Sequence, residues 1–230
     1  MRLAVIPARG GSKRIPQKNI RKFHDKPIIV YSIEAAQASN CFDRIIVSTD
    51  DHEIAEIAVQ YGAEVPFLRP AELASDFCGT FDVVRHAIDF QDKTGEMTTS
   101  ACCIYPTAPM VTGSVIRAGW DLLKQSGKRF VFTATEFEFP VQRALRRTQL
   151  GEVAPMYPEF IAMRSQDLEP ALHDAGQFYW GDAAAYREHL DMFSEHATPL
   201  MLERWKYIDI DNENDWIRAE RIFGLLASAK

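Results

Sequence analysis

A short segment near the start of the chain, residues 3–19 (LAVIPARGGSKRIPQKN), has the residue types needed to bind a polyphosphate. An apolar stretch leads into the adjacent glycines Gly10 and Gly11. Four cations lie in the same segment: Arg9, Lys13, Arg14 and Lys18. Glycine lets backbone N–H groups approach phosphate oxygens, and the cations offset their charge. The segment matches neither G-x-x-x-x-G-K-[ST] nor G-x-G-x-x-G, and a solvated basic turn is the alternative interpretation.

A second candidate site is the pair Asp209 and Asp211 in the run YIDIDNEND. The alternation with isoleucine predicts a strand, Tyr207–Ile210, from which both carboxylates face the same side. Two carboxylates without histidine or cysteine favour a hard cation such as Mg²⁺ over zinc. In the alternative, Asp211 or Asn212 caps the final helix, which still leaves Asp209 for a metal. A polyphosphate loop combined with a carboxylate pair predicts metal-assisted phosphoryl or nucleotidyl transfer.

Three further segments place polar groups at the ends of predicted strands. Asp50, in Ser48-Thr49-Asp50, is either a sugar or metal contact or the cap of the following helix. Tyr105-Pro-Thr-Ala-Pro ends another strand, at the edge where open α/β sheets bind ligands. His173–Trp180 (HDAGQFYW) mixes polar and aromatic side chains, which suits a carbohydrate ring. In the alternative for that segment, the aromatic residues belong to the core and His173 is a loop residue.

The composition is that of a globular protein of one domain, with 230 residues, of which 47% are hydrophobic and 25% charged. The net charge of −6 makes a nucleic-acid partner unexpected. No apolar run approaches the ~20 residues of a membrane span, and Met1-Arg2 leads straight into a predicted strand, which leaves no room for a signal peptide. The four cysteines form no Cys-x-x-Cys motif, and Cys102 and Cys103, which are neighbours in an apolar stretch, are interpreted as free thiols of the core. We therefore expect a cytoplasmic protein with no membrane partner.

Strand-like and helix-like segments alternate along most of the chain. Predicted strands are Arg2–Ile6, Arg44–Ser48, Glu64–Leu68, Ser100–Tyr105, Arg129–Thr135, Gly176–Trp180 and Tyr207–Ile210. Predicted helices are Ile28–Ser39, Ile54–Tyr61, Thr80–Gln91, Ser114–Gln125 and Trp216–Ala227. This order predicts a Rossmann-like α/β fold, with a mostly parallel sheet and helices on both faces. The cation loop then lies at the carboxyl end of the first strand.

The alternation weakens between residues 137 and 174, where prolines and arginines accumulate. One interpretation is a long surface excursion. The other is a small inserted segment for dimerisation and for covering the substrate, because its apolar residues need burial against a second subunit. Those residues are Met156, Phe160, Ile161 and Met163. We predict a single domain over residues 1–230 that contains this insertion.

Taken together, five motifs resemble the acylneuraminate (sialic acid) cytidylyltransferase family. They are IPARGGSKRIPQKN, FDRIIVSTDD, EVPFLRPAELASD, YPTAP and DIDNENDW, which follow in the family's order over nearly the whole chain. The resemblance implies a glycosyltransferase-A-like nucleotidyltransferase fold, a homodimer and Mg²⁺. It also implies transfer of CMP from CTP to a nine-carbon α-keto acid sugar, with release of pyrophosphate.

Within the family, the chain resembles the pseudaminic acid branch most, through RSQDLEPALHDAGQFYWG (Arg164–Gly181). Tyr105 stands where the sialic acid branch usually has glutamine, and Ala175-Gly176 where it has Asn-Gly. A pocket with fewer amides and more aromatic surface fits a deoxy, diacylamino sugar. The branch implies nonulosonic acid synthesis for surface glycans, including flagellin glycosylation. Sialic and legionaminic acids are the alternative acceptors, whereas the Tyr-Gly-Ser-x-Arg-Leu-Pro loop usual in Kdo cytidylyltransferases is absent.

The resemblance assigns roles to individual residues by their position in these motifs. Those implied to bind CTP are Arg9, Gly10, Gly11, Ser12, Lys18, Asn19, Arg69 and Cys78. Those implied to bind Mg²⁺ are Asp209 and Asp211. Candidates for the sugar are Tyr105, His173, Gln177 and Tyr179. Catalysis is expected to depend on Arg9, Lys18 and Asp211.

A non-catalytic regulator that binds a nucleotide or a sugar is the alternative from a different functional class. The cation loop and the carboxylate pair together argue against it, because a protein that only binds its ligand needs no metal pair.

Overall fold

The chain forms alternating strands and helices in a computed structural model that describes residues 1–75 and 78–228. The strands are β1 Arg2–Pro7, β2 Lys22–Phe23, β3 Lys26–Pro27, β4 Arg44–Ser48, β5 Ser100–Ile104, β6 Phe130–Glu136, β7 Leu145–Arg147, β8 Val153–Pro155, β9 Leu172–Asp182 and β10 Ala197–Met201. The helices are α1 Ile28–Ser39, α2 His52–Gln60, α3 Thr80–Asp92, α4 Gly113–Ser126, α5 Ala183–Arg187 and α6 Glu213–Ser228. The last residue of the EVPFLRPAELASD motif lies outside the described residues.

Six strands form the central sheet in the order β10-β6-β9-β5-β1-β4. Strand β1 pairs in parallel with β4 and β5, and β10 pairs in parallel with β6. Among the described strands of this sheet, only β9 runs antiparallel to its neighbours, β5 and β6. The prediction of a mostly parallel α/β sheet is therefore confirmed. The carboxyl ends of β1, β4 and β5 meet at one edge, where such sheets bind ligands.

Strand β1 alternates its side chains between two apolar layers, which is why it is buried on both sides. Ala4 and Ile6 belong to the cluster formed with α1 and α4, and Leu3 and Val5 to the cluster formed with α3 and α5. Helix α4 lies so close to β9 that a Cβ on Gly119 would be 2.6 Å from the Phe178 ring. The helices therefore cover both faces of the sheet, as parallel strands require.

A third apolar cluster joins parts of the chain that are far apart in sequence. Its buried members are Ile15, Phe23, Ile28, Tyr31, Ile210, Trp216 and Ala219. They come from the loop after β1, the β2–β3 hairpin, helix α1 and the start of α6 with the segment before it. This third cluster therefore fastens the cation loop to the segment that carries Asp209 and Asp211.

Two predicted strands are wrong, and among the described residues the strands β2, β3, β7, β8 and β10 were not predicted. Residues 207–210 form no strand, because β10 takes the place at that edge of the sheet beside β6. Residues 64–68 pair through isolated bridges, Glu64 with Ile46 of β4 and Leu68 with Thr49 just after it, so they form no regular strand. Pro199 and flanking polar residues hide the strand character of β10 in the sequence. The alternation at 207–210 reflects the burial of Ile208 and Ile210 in the third cluster rather than pairing in a sheet.

Residues 137–174 form an exposed segment with a small antiparallel hairpin, β7–β8, and short 3₁₀ turns. Large apolar side chains stand in solvent there, with Phe139 75% exposed and Leu150 85% exposed. In the part of the chain that the structure describes, no helix is long and apolar enough to cross a bilayer. The cysteines are free thiols, and Cys102 and Cys103 lie in the core as predicted.

Candidate active site

A cavity of about 580 Å³ opens at the carboxyl ends of β1, β4 and β5, within the size range of small-molecule sites. Its wall brings together predicted site residues from five separate segments. They are Arg9, Ser12, Lys18, Asn19, Arg69, Cys78, Tyr105 and Asp211. The fold thus places most of the predicted CTP-binding residues, one predicted metal ligand and one predicted sugar contact around a single space.

The cation loop is held in shape by hydrogen bonds to its own backbone and to the end of β4. The N–H of Gly10 donates to Asp50 Oδ1 at 3.0 Å, and Asn19 Nδ2 donates to the carbonyl of Arg9 at 2.9 Å. A Cβ on Gly10 would lie 2.5 Å from Asp51 Oδ2, so only glycine fits there. Gly11, in contrast, would meet no atom within 4 Å. The loop therefore has one face packed against β4 and one face open.

This geometry rules out one of the two interpretations of Asp50. Asp51, not Asp50, caps α2, with Oδ1 accepting from the N–H groups of Glu53 and Ile54 at 2.8 and 3.1 Å. The prediction that Asp50 caps the helix is wrong, because its carboxylate is turned to Gly10 instead. Asp50 thereby positions the glycine pair of the cation loop.

Asp209 and Asp211 lie on an extended segment, not on a strand. Ile208 and Ile210 point into the third cluster, so the intervening carboxylates point away from it. The side chain of Asp211 reaches the cavity, and Asp209 is exposed beside it. Burial of the two isoleucines therefore makes both carboxylates face the same side, as the sequence predicted.

Helix α6 begins with a reciprocal cap that leaves Asp211 available. Asn212 Oδ1 accepts from the N–H groups of Asn214 and Asp215 at 2.9 and 3.2 Å. In return, Asp215 Oδ2 accepts from the N–H groups of Asp211 and Asn212, both at 3.1 Å. Of the two capping candidates in the sequence, Asn212 is therefore the cap.

The carboxylate pair has the chemistry to hold a hard divalent cation. Burial raises the pKa of Asp209 because it disfavours the charged form, and the negative charge of the neighbouring Asp211 raises it further. A cation between the carboxylates would relieve this repulsion. Within residues 1–75 and 78–228, no group of three or more His, Cys, Asp or Glu side chains could complete a metal site. Such a set suits Mg²⁺, which takes few protein ligands and fills its remaining positions with water and phosphate oxygens.

Lys18 faces this carboxylate pair from the cation loop. Burial lowers the pKa of Lys18, while Asp211 and Asp209 act in the opposite direction. Arg14 approaches more closely, with its Nη2 atom 2.7 Å from Asp211 Oδ1. Cations of the loop and carboxylates of the opposite segment thus share one electrostatic site.

Arg69 places a buried positive charge in the wall of the cavity. Its side chain is only 7% exposed, and its Nε donates to Ser48 Oγ at 3.1 Å. Burial lowers the pKa of Arg69, and among the described residues it forms no ion pair with a carboxylate. A guanidinium held in this way has donors left for a ligand with oxygen or nitrogen acceptors.

The sugar candidates are divided by the structure into one residue in the cavity wall and three beside it. Tyr105 lines the cavity, with its hydroxyl 3.4 Å from Thr80 Oγ1 and its ring 5.3 Å from that of Tyr179. Tyr179 is 4% exposed and donates its hydroxyl to Asp174. Gln177 donates to the carbonyl of Lys206 at 2.8 Å. His173 lies against the rings of Phe137 and Tyr207. These three residues support the wall from β9 and do not line the cavity itself.

Three residues at the site were not singled out from the sequence. Thr80 opens α3 at the cavity, Asp174 accepts from Tyr179, and Tyr207 lies within the electrostatic influence of Asp209 and Asp211. Burial, then Asp209 and Asp174, raise the pKa of Tyr207 to about 12. Asp174 and Tyr207 stand within segments that the sequence did mark. Their roles depend on pairings that no spacing rule reveals.

Comparison with known proteins finds relatives over nearly the whole chain. A family model described as Cytidylyltransferase matches residues 3–212. The chain is 41% identical to pseudaminic acid cytidylyltransferases of two Campylobacter jejuni subsp. jejuni strains, over 93% of this chain and 92% of theirs. It is 36% identical to a CMP-N,N'-diacetyllegionaminic acid synthase of Legionella pneumophila subsp. pneumophila, over 97% of this chain and 96% of that protein.

Among solved structures, the fold is similar to that of a CMP:2-keto-3-deoxy-manno-octonic acid synthetase complexed with CTP. The TM-score is 0.69 at 13% identity, covering 97% of this chain and 98% of that one. This likeness supports the α/β fold class.

The raised pKa of Asp209 leads to a stability prediction for the metal-free protein. Because folding raises this pKa, the ionised carboxylate destabilises the fold at neutral pH, and the effect fades as the pH falls towards the ordinary value of 3.8. Asp209→Asn should therefore increase the free energy of unfolding at pH 7, by less than about 1 kcal/mol because the group is exposed to solvent. Urea unfolding in the presence of a chelator measures this difference.

Asp43→Asn is the matched control, and it should change the free energy of unfolding in the opposite direction. Arg2 lowers the pKa of Asp43 through its backbone N–H and its guanidinium, so this carboxylate stabilises the fold above its unfolded pKa. Removal of this carboxylate should destabilise the protein at pH 7. The difference in stability from wild type should vanish as the pH falls through the pKa of Asp43 in the folded protein. If Asp209→Asn destabilised the metal-free protein at pH 7 as Asp43→Asn does, the raised pKa of Asp209, caused first by burial and then by Asp211, would be refuted.

Proposed function

This chain belongs to the cytidylyltransferase family, and we propose that it transfers CMP from CTP to the anomeric hydroxyl of a nine-carbon α-keto acid sugar, pseudaminic acid. The observation that carries the proposal is the cavity in which the cation loop faces Asp211, with the buried Arg69 in the same wall. Its product would be an activated nonulosonic acid for surface glycans, flagellin glycosylation included.

CTP would lie with its triphosphate on the open face of the cation loop. Arg9, Ser12 and Lys18 line that side of the cavity, and the backbone around Gly11 has room for an oxygen to approach. The cytosine would meet Arg69, whose buried guanidinium lacks a carboxylate partner among the described residues. A buried donor that a wrong base leaves unpaired discriminates strongly, so Arg69 would also contribute to base selection.

The transfer would proceed by in-line attack of the anomeric hydroxyl oxygen on the α-phosphorus of CTP. The new O–P bond forms as the bond to pyrophosphate breaks, and the hydroxyl proton leaves with a base. Arg9 and Lys18 would stabilise the negative charge that moves to the leaving group. Mg²⁺ held by Asp209 and Asp211 would supply further charge neutralisation at the phosphates. The residues therefore act mainly by positioning and electrostatics.

The sugar would bind against the aromatic side of the cavity. Tyr105 is kept in place by Thr80 and by the ring of Tyr179, which Asp174 anchors from behind. Such a wall offers apolar surface to methyl and acetamido groups and few amide donors to hydroxyls. This favours a deoxy, diacylamino acceptor over N-acetylneuraminic acid. His173 and Gln177 would affect sugar binding indirectly, because they hold β9 in position behind the cavity wall.

We also propose that the protein is a homodimer that buries the exposed apolar side chains of residues 137–174. Phe139, Leu150 and Val153 are 75%, 85% and 67% exposed in the single chain, an unusual concentration for a free surface. Leu150→Glu combined with Val153→Glu should therefore shift sedimentation from a dimer towards a monomer. A wild-type chain that sediments as a monomer at micromolar concentration would contradict the dimer.

The acceptor is tested by offering CTP and Mg²⁺ with pseudaminic, legionaminic, N-acetylneuraminic and Kdo acids in parallel. Pyrophosphate release should be fastest with pseudaminic acid, and at least about tenfold slower with N-acetylneuraminic acid, because the aromatic wall lacks its polar partners. Preference for N-acetylneuraminic acid would refute the acceptor but not the reaction. Absence of pyrophosphate with every acid would favour a non-catalytic binder.

Two single variants test the separate roles of Asp211 at the metal and of Lys18 at the triphosphate. Asp211→Ala should lower kcat by about 10²–10⁴ because it removes a metal carboxylate. Lys18→Ala should lower kcat/KM for CTP, since it removes a cation that faces the triphosphate and the charge developing on the leaving group. Asp121→Ala, in an exposed ion pair with Lys124 on α4, is the control and should retain wild-type kinetics. Near-normal turnover of Asp211→Ala with Mg²⁺ would refute the metal assignment.

A further inference from the structure

Arg14 forms an ion pair that bridges the two halves of the site. Its Nη2 atom lies 2.7 Å from Asp211 Oδ1, and both residues line the cavity. The Arg14 side chain is 69% exposed and that of Asp211 is 42% exposed, so water reaches the contact. Exposed pairs of this kind are weak and easily exchanged. The contact therefore occupies Asp211 without locking it.

The position of this pair matters because Asp211 is one of the two carboxylates proposed for Mg²⁺. A guanidinium on Oδ1 and a divalent cation compete for the same negative charge. Arg14 and Lys18 set two positive charges against Asp209 and Asp211, and the carboxylate of Asp215 acts on the same groups. A divalent cation that enters alone must displace Arg14 from Asp211 Oδ1, and the displaced guanidinium gains no new acceptor. A cation that enters with a triphosphate brings net negative charge and gives Arg14 new oxygen acceptors.

Resting on the proposed function, we propose that Arg14 is the counter-ion of Asp211 in the nucleotide-free protein and moves to the triphosphate when the metal enters with CTP. The site then takes the divalent cation together with the nucleotide and binds it poorly alone. Arg14 is a positioning residue in one state and a triphosphate ligand in the other. The sequence places Arg14 among the cations of the loop, whereas its pairing with Asp211 appears only in the fold.

Lys18 does not serve this purpose, although it faces the same carboxylates. Its ammonium is more buried than the Arg14 guanidinium, and the field of both Asp209 and Asp211 acts on it. Arg14 has the longer reach, the greater exposure and the direct contact with one carboxylate. Its planar guanidinium can also exchange a carboxylate for a phosphate without loss of hydrogen-bond geometry.

The test is direct binding of Mn²⁺ to the nucleotide-free protein, measured by electron paramagnetic resonance. Arg14→Gln should bind Mn²⁺ about two- to fivefold more tightly than wild type, because Asp211 is released. The same variant should bind CTP in the presence of Mn²⁺ at least about threefold more weakly, because a triphosphate ligand is lost. Lys124→Gln removes the same net charge from an exposed ion pair on α4 and should change neither affinity.

A double variant separates the contact from the general electrostatic field. In an Asp211→Asn background, Arg14→Gln should give no gain in Mn²⁺ affinity, since the group it releases is absent. A gain that persists there, or an Arg14→Gln variant indistinguishable from Lys124→Gln, would overturn the inference and leave the proposed function intact. If Asp211→Asn fails to weaken Mn²⁺ binding in the presence of CTP, the metal assignment itself fails, and this inference fails with it.

Discussion

The site depends on one apolar contact region, the burial of Ile15 with Ile210 and Trp216. Each of the three side chains is 1% exposed, although Ile15 lies in an otherwise polar loop. Burying a side chain of this size contributes about 1.5–3 kcal/mol. Arg21 reinforces the region, because it binds both oxygens of Glu213 at 2.6 and 2.7 Å and lies 4.3 Å from the Trp216 ring. Cations and carboxylates from opposite ends of the chain are thereby held at the same cavity.

This arrangement removes part of the solvation of three charged groups at the site, Lys18, Arg69 and Asp209. Burial lowers the pKa values of Lys18 and Arg69 and raises that of Asp209, so each group is less stable in its charged form than it would be in water. Bound metal and triphosphate would offset these charges. Preorganised charges of this type are the main means by which enzymes stabilise phosphoryl transfer, because the protein provides few covalent steps. The site therefore gives up some stability for electrostatic complementarity to its substrates.

Sequence patterns predicted the helices and strands around the site better than they predicted the contacts between its residues. Helix α1 and strand β4 have the predicted bounds, because apolar spacing and turn residues decide them locally. The segment 207–210 has the alternation of a strand, yet its isoleucines are buried by a helix and a loop instead of a neighbouring strand. Likewise, which of Asp50 and Asp51 caps α2 depends on where Gly10 lies, and the Arg14–Asp211 pair depends on the complete fold.

The most direct test of this account is a crystal structure with a non-hydrolysable CTP analogue and Mn²⁺, located by its anomalous scattering. We expect the triphosphate against Arg9, Ser12 and Lys18, the cytosine at Arg69, and the Mn²⁺ peak at bonding distance from Asp209 or Asp211 and from a phosphate oxygen. A nucleotide whose triphosphate lies away from the cation loop, or a metal that contacts neither carboxylate, would contradict the account.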